Sequence, residues 1–293
     1  MRFFWCIIVW KYYIFIYFNI LFGFLQVRSE ENYQIANVFH RKSRKEERSS
    51  PLEQIFTIPV NEEFDACKSD SSLGCPFCRL YRRLQRDEID IILGASMMEP
   101  DIRIKTNEEG FCNKHFGIML GRKRMLGMGL MIESHLPEVK KKLSKRALLK
   151  DPSAPSVALL SLLNDNCYVC NRIDKNLTAM ISTAVYLYEN EDEFRDKFKS
   201  QPYFCLPHYT KMLSYASKKM NKRLFSDFFE TAQGIEEKYI DTLTGDVSWF
   251  CKKFDYRYDE EPWYNSKDSI PRAIKFLTGS EEDEEEKGRI TLI

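Results

Sequence analysis

Apolar residues recur every three to five positions through most of this chain, a period that predicts helices rather than strands. Residues 76–94 place Leu80, Leu84, Ile89 and Ile92 on that spacing and end at Gly94. A short extended lead-in, IFTIPV, precedes this helix, and a turn-rich stretch, ASMMEPDIRIKTNEEG, follows it. A long helix is then expected from about Asn113 to Leu143, with Met119, Leu120, Leu126, Leu130 and Leu136 among its apolar positions. Pro137 should kink or interrupt it near the end, where Lys140, Lys141 and Lys142 suit the negative end of the helix dipole.

The stretch KDPSAPS, residues 150–156, reads as the clearest linker. Beyond it the plan repeats. Residues 168–189 form an apolar helix, EDEFRDKFKSQP a short one stopped near Pro202, and residues 205–219 another, and a long helix runs from about Arg223 to Phe254. An aromatic, turn-rich segment follows, and the acidic run Glu281–Glu286 is expected to be a solvated, disordered tail. No strand pattern of any length competes. The fold class is therefore all-α, as two tandem helical repeats over residues 52–149 and 157–279, with a leader over 1–51 and a tail over 280–293.

The leader is a different kind of sequence. Residues 3–27 are apolar apart from Lys11 and Asn19, long enough to span a bilayer as an uncleaved anchor. No small-x-small cleavage site follows, which argues against a signal peptide. The competing expectation is that translation begins at Leu52 from a UUG codon, because the Phe-, Ile-, Tyr-, Asn- and Lys-rich leader looks like translated AT-rich non-coding DNA. Membrane contact is expected only if residues 3–27 are translated. The formal net charge of +1 gives the chain no general attraction to nucleic acid.

The chemistry lies in an internal echo. Cys75-Pro76-Phe77-Cys78 is followed, after 33 intervening residues, by Cys112-x-x-His115, and Cys167-Tyr168-Val169-Cys170, after 34, by Cys205-x-x-His208. The four ligand-type positions recur at offsets of 92 or 93 residues, as a duplicated supersecondary unit would place them. Residues i and i+3 share one face of a helix, so each pair can point together from a first helical turn. Helix beginnings also favour thiolate over thiol.

Bringing the two helix starts of one half together yields three thiolates and one imidazole, a Cys3His set that closes a tetrahedral zinc site with no open position for substrate. The expectation is one ion held by Cys75, Cys78, Cys112 and His115, and a second held by Cys167, Cys170, Cys205 and His208. Iron–sulfur clusters, redox-active Cys-x-x-Cys pairs and disulfides are the alternatives.

The other chemistry-bearing residues read more plainly. Cys6 and His40 lie in the leader. Cys67 is a bystander close to Cys75, with a spare ligand as the alternative, and Cys251 a packed core thiol. His135, near Glu133, reads as a surface or capping histidine. Asn176-Leu177-Thr178 matches a glycosylation acceptor inside an apolar helix, where chance explains it. The basic stretch from Lys140 to Lys150 reads as a solvated helix end. The segment KKFDYRYDEEPWY combines Asp255, Arg257, Asp259 and Glu260 with Tyr256, Tyr258, Trp263 and Tyr264. It either covers the helical core or forms a contact patch for a partner, and the first reading is favoured. No nucleophile–base arrangement, phosphate loop or pair of acid/base carboxylates is evident, so the residues do not point to an enzyme.

The motifs FTIPVNEEF, CPFCRLYRRL, MEPDIR, GFCNKH, CYVC, FCLPHY and WFCKKFDYRYDEEPW resemble a bacterial family, mainly clostridial, catalogued as a domain of unknown function. The resemblance covers roughly Leu52 to Gly279. It implies a cytoplasmic bacterial protein whose relatives begin near TIPVNEEF, and it implies no activity. The expected role is a metal-binding helical module, most simply with two structural zinc ions, acting as a binding or scaffold module for an unidentified protein or small-molecule partner. An iron–sulfur or thiol redox protein is the rival.

Overall fold

The computed structural model describes residues 55–145, 151 and 153–280. The leader, with its candidate span 3–27, Cys6 and His40, and the acidic run 281–286 lie outside the described residues. Among the described residues there are eleven α-helices and no strand. None of those helices is long and apolar enough to cross a membrane.

In chain order the helices are α1 (Thr57–Ser69), α2 (Pro76–Ile92), α3 (Pro100–Glu109), α4 (Asn113–Gly121), α5 (Met125–Leu143) and α6 (Ala154–Asp165). They continue with α7 (Tyr168–Asn190), α8 (Asp192–Lys199), α9 (Leu206–Lys219), α10 (Lys222–Lys252) and α11 (Ser269–Thr278).

The architecture is organised by α2 and α7. Helix α2 opens with Pro76, whose fixed φ suits a first helical position. It buries Phe77, Leu80, Ile89 and Ile92. Helix α7 buries Val169, Ile173, Leu177, Met180, Ile181, Ala184, Leu187 and Tyr188, again at three- and four-residue steps. Phe77 and Leu80, at the start of α2, share one apolar cluster with the second half of α7, from Leu177 to Tyr188. Ile89, Ile92 and Leu93, at its end, share another with Val169 and Ile173 at the start of α7. The two helices therefore run antiparallel. Each cluster draws on both halves of the chain, so the halves read from the sequence share their cores.

The first cluster is aromatic. Phe64, Phe77, Phe194, Phe198, Phe204, Phe228 and Tyr188 are all fully buried. Phe198 sits between Phe204 at 4.9 Å, Tyr188 at 5.0 Å and Phe228 at 5.1 Å between ring centroids. The Tyr188 hydroxyl donates toward Asp227 at 3.0 Å and lies 3.1 Å from the Thr231 hydroxyl, which satisfies its buried polar end.

Several elements differ from the expected pattern. The lead-in IFTIPV is helical from Thr57, because Val60, Phe64 and Cys67 form a buried stripe at four- and three-residue spacing that a strand could not present. The turn-rich stretch after Gly94 holds a 3-10 turn (Ala95–Met98) and α3, which Pro100 opens at its first position. The single helix expected over 113–143 is two. Arg122 to Arg124 separate them, with Lys123 in the left-handed region at φ 57°.

That break has a packing reason. Met119 and Met128 both face the second cluster, yet nine residues would put them about 180° apart on one unbroken helix. Pro137 does not interrupt α5: it and Glu133, whose carbonyl loses its amide partner, are both exposed, and water can satisfy the freed group. The linker is shorter than expected, since α6 begins at Ala154 and the Ser156 hydroxyl reaches the Lys142 carbonyl at 2.8 Å.

The packing around Phe198 makes a stability prediction. Phe198→Ala should destabilise the fold by about 3–5 kcal/mol in urea denaturation; a loss below about 1 kcal/mol would contradict the packing described.

Candidate metal centres

All four cysteine motifs adopt one local design. Cys75, Cys112, Cys167 and Cys205 are the N-cap residues of α2, α4, α7 and α9, each with extended backbone. The carbonyl of each accepts from the amide four residues on, at 3.4, 3.0, 3.0 and 2.8 Å respectively. The second ligand of each motif (Cys78, His115, Cys170 or His208) then falls in the first turn, over the same helix beginning. No N-cap side chain binds its own helix backbone in the usual way, which leaves the sulfurs free to turn inward.

The eight expected residues converge, but their partnering is crossed. Cys75 and Cys78 meet Cys205 and His208, while Cys112 and His115 meet Cys167 and Cys170. The expected sets, each drawn from one half, do not form. Helix α2 is 17 residues long, about 25 Å, and it carries the chain away from Cys75. The arm through α3 does not return to that end. Because α7 runs antiparallel, its own start lies at the far end of α2 and supplies Cys167 and Cys170 there. The chain leaving α7 reaches the near end through α8, where Cys205 and His208 join Cys75 and Cys78.

The spacings suit one ion in each set. A tetrahedron with Zn–S of about 2.3 Å and Zn–N of about 2.0–2.1 Å has edges of about 3.8 Å between sulfurs and about 3.6 Å from sulfur to nitrogen. In the first centre His208 Nδ1 lies 3.8, 3.5 and 3.1 Å from the sulfurs of Cys75, Cys78 and Cys205, and Cys78 and Cys205 are 3.5 Å apart. In the second, His115 Nδ1 lies 3.2, 3.3 and 3.3 Å from Cys112, Cys167 and Cys170, and Cys112 and Cys170 are 3.9 Å apart. Within each set all four ligand atoms fall inside 4.8 Å of one another. None of these cysteines is in a disulfide.

Charge balance points the same way. Burial pushes the Cys75 thiol well above its ordinary range, while hydrogen bonds with Cys205 and Cys75 hold Cys78 far below it. Cys205 is lowered by its bond with Cys75 but raised more by its bond with Cys78 and by burial, and ends near 12. Burial likewise raises Cys167 and Cys170. The first cluster thus favours a single thiolate on its own, and a divalent cation among the sulfurs would stabilise all three.

Outer contacts hold the ligands in place. The Gln85 amide, fully buried on α2, lies 3.1 Å from His115 Nε2. The atom placed there is the amide nitrogen; with Nδ1 on a metal, Nε2 would carry the hydrogen and the amide would turn over to present its oxygen as acceptor. Ser280 N–H donates to the Cys78 sulfur at 3.3 Å, and Arg82 holds both the carbonyl and hydroxyl oxygens of Ser280 at 3.0 Å. Gly279 makes this close passage with φ at 82°, and a Cβ there would stand 3.5 Å from the Cys205 sulfur. Glu236 Oε1 accepts from Phe204 N–H at 2.7 Å, immediately before Cys205. Burial raises this carboxyl to about 7. These supporting residues had no signature in the sequence, because Gln85 looks like any helix-surface amide and Ser280 acts through its backbone.

The remaining candidates separate cleanly. Cys67 is buried outside both centres, its thiol pushed up to about 12 by burial. Cys251 is exposed rather than packed in the core, because it lies on the outward face of α10. His135 is half-buried, and burial lowers its pKa. Asn176-Leu177-Thr178 sits in the middle of α7, with Leu177 in the core. The aromatic segment folds against the end of α10 rather than over the main core: Trp249 packs on Tyr258 and Tyr264, and Phe250 on Trp263. The buried Lys253 ammonium donates to the carbonyls of Tyr258, Asp259 and Glu261 at 2.6–2.7 Å, tying the loop down.

The chain belongs to DUF6062, a family of unknown function whose sequence model matches residues 52–284. No curated protein and no solved structure matches it.

Two predictions follow the geometry. Crossed partnering means that Cys75→Ser with His208→Ala should cost one bound ion and leave the other, whereas Cys75→Ser with His115→Ala should cost both. Metal content per chain distinguishes the cases, and the reverse result would restore partnering within each half. Glu236, raised in the fold, contributes its full stability below the unfolded value near 4.5 and loses it as pH rises through 7. Glu236→Gln, an isostere of the protonated acid, should therefore match the parent near pH 4 and exceed it at pH 8 by up to about 3 kcal/mol. Parallel stability curves at the two pH values would refute this.

Proposed function

We propose that this protein is a zinc-stabilised helical scaffold that holds two structural Zn2+ ions per chain, one in each crossed Cys3His centre. The convergence of four helix beginnings into two tetrahedral-sized ligand sets carries this reading. Three thiolates and one imidazole suit zinc, and a set that supplies all four ligands leaves no position for a substrate. The compact span of each set supports a single ion over a larger iron–sulfur cluster, which draws chiefly on four cysteines. Reduced thiols fit a reducing cellular compartment, as the family resemblance implies. The scaffold would present its surface to a protein or small-molecule partner.

The energetic role follows from magnitude. Structural zinc contributes on the order of 10–16 kcal/mol in small zinc-dependent folds, comparable with the whole net stability of a typical domain at about 5–15 kcal/mol. Each centre joins helices distant in sequence, so metal binding would fix the antiparallel stack as well as its ligands.

Protein purified without oxygen should be colourless and contain two zinc ions per chain by elemental analysis. Removal by a strong chelator should produce a large fall in thermal stability that added zinc restores. Cys112→Ser should lose about one ion and melt earlier. A brown protein absorbing near 400 nm would instead establish iron–sulfur, and unchanged metal content in Cys112→Ser would remove that residue from the ligand set.

A further inference from the structure

The two centres share their ligands' chemistry but not their surroundings. In the first, Cys75, Cys78, Cys205 and His208 are all buried. The chain leaving α11 passes directly over this centre, with Gly279 against two sulfurs and Ser280 N–H on Cys78. Arg82 pins that passage at two oxygens. The second centre has a buried half, His115 and Cys167, and a half-exposed one, Cys112 and Cys170. The sulfurs of these two partly exposed residues are neighbours, 3.9 Å apart.

Resting on the metal reading above, we propose that Cys112 and Cys170 form a peroxide-oxidisable pair, so that the second centre releases its ion on oxidation while the first retains its own. Either thiolate attacks one oxygen of hydrogen peroxide, breaking the O–O bond to give a sulfenic acid and, after protonation, one water. The second thiolate attacks the sulfenic sulfur, forming the S–S bond and expelling hydroxide, which takes a proton to become the second water. Two thiolates, one peroxide and two protons thus yield one disulfide and two waters; sulfur supplies the two electrons that peroxide accepts. The ion is left with only Cys167 and His115 and dissociates. Reduction by a dithiol restores the site.

Exposure, rather than sulfur spacing, makes the difference. Cys78 and Cys205 in the first centre are as close, at 3.5 Å, but the strap and the surrounding core keep peroxide from them. Attack also needs an accessible thiolate, and metal coordination keeps Cys112 and Cys170 deprotonated. Arg82, on α2, is a positioning residue for the first centre, holding Ser280 over Cys78.

The test starts from the full chain with its metal content measured, treated with hydrogen peroxide at one to ten equivalents. Zinc release is followed with a chromogenic chelator, and cysteines are mapped by alkylation and mass spectrometry. One equivalent should leave at least about tenfold faster than the other, in step with a Cys112–Cys170 disulfide that a dithiol reverses. Arg82→Ala should speed loss from the first centre by about tenfold without changing the second. Simultaneous release of both ions, earlier oxidation of Cys75, Cys78 or Cys205, or a disulfide through Cys167 would overturn the proposal. Protein isolated with no metal would refute the structural-zinc reading instead, and the Cys112–Cys170 disulfide would still report on the pair.

Discussion

The antiparallel contact between α2 and α7 is the constraint on which the other features depend. It sets the two Cys-x-x-Cys beginnings at opposite ends of the helix pair and divides the apolar residues of both helices between two clusters. Each end then needs a second helix beginning. Helix α4 supplies one end and α9 the other, each with Cys-x-x-His at its first turn. The candidate metal centres and the hydrophobic clusters are therefore two expressions of one packing decision. The Cys/His groups lie at the two ends of the pair, where burial of Phe77 and Leu80 at one end of α2 and of Ile89 and Ile92 at the other packs it against α7.

The helix positions were largely legible, because amphipathic periodicity is a local property. The limits of α2, α7, α8, α9 and α10 fall within a few residues of those expected. Where local pattern competed with packing, packing prevailed. IFTIPV has the β-branched look of a strand yet is drawn into α1 by the burial of Val60 and Phe64. The methionine-rich run from 113 to 143 reads as one helix, but only a break lets Met119 and Met128 face the same core.

The candidate site was legible in its members and illegible in its partners. Cys-x-x-Cys and Cys-x-x-His define a ligand pair within one helical turn, which sequence spacing fixes. Which pair joins which depends on the direction in which two helices pass, and neither helix encodes that locally. An intervening stretch of 33 or 34 residues is long enough to return to its start or to continue away from it. Cys251 shows a related limit: aromatic neighbours suggested burial, but Trp249 and Phe250 pack on the loop while the thiol faces water.

The crossing of the ligand sets has a topological corollary. A polypeptide with one Cys-x-x-Cys and one Cys-x-x-His in this geometry would have its two motifs at opposite ends of a rod, unable to reach each other. It could close its coordination spheres only against an identical twin, related by a two-fold axis, with each molecule completing the other. In this chain the exchange is intramolecular: each Cys/His group takes one motif from either side of the 150–156 stretch, so neither portion can be withdrawn without opening both groups at once.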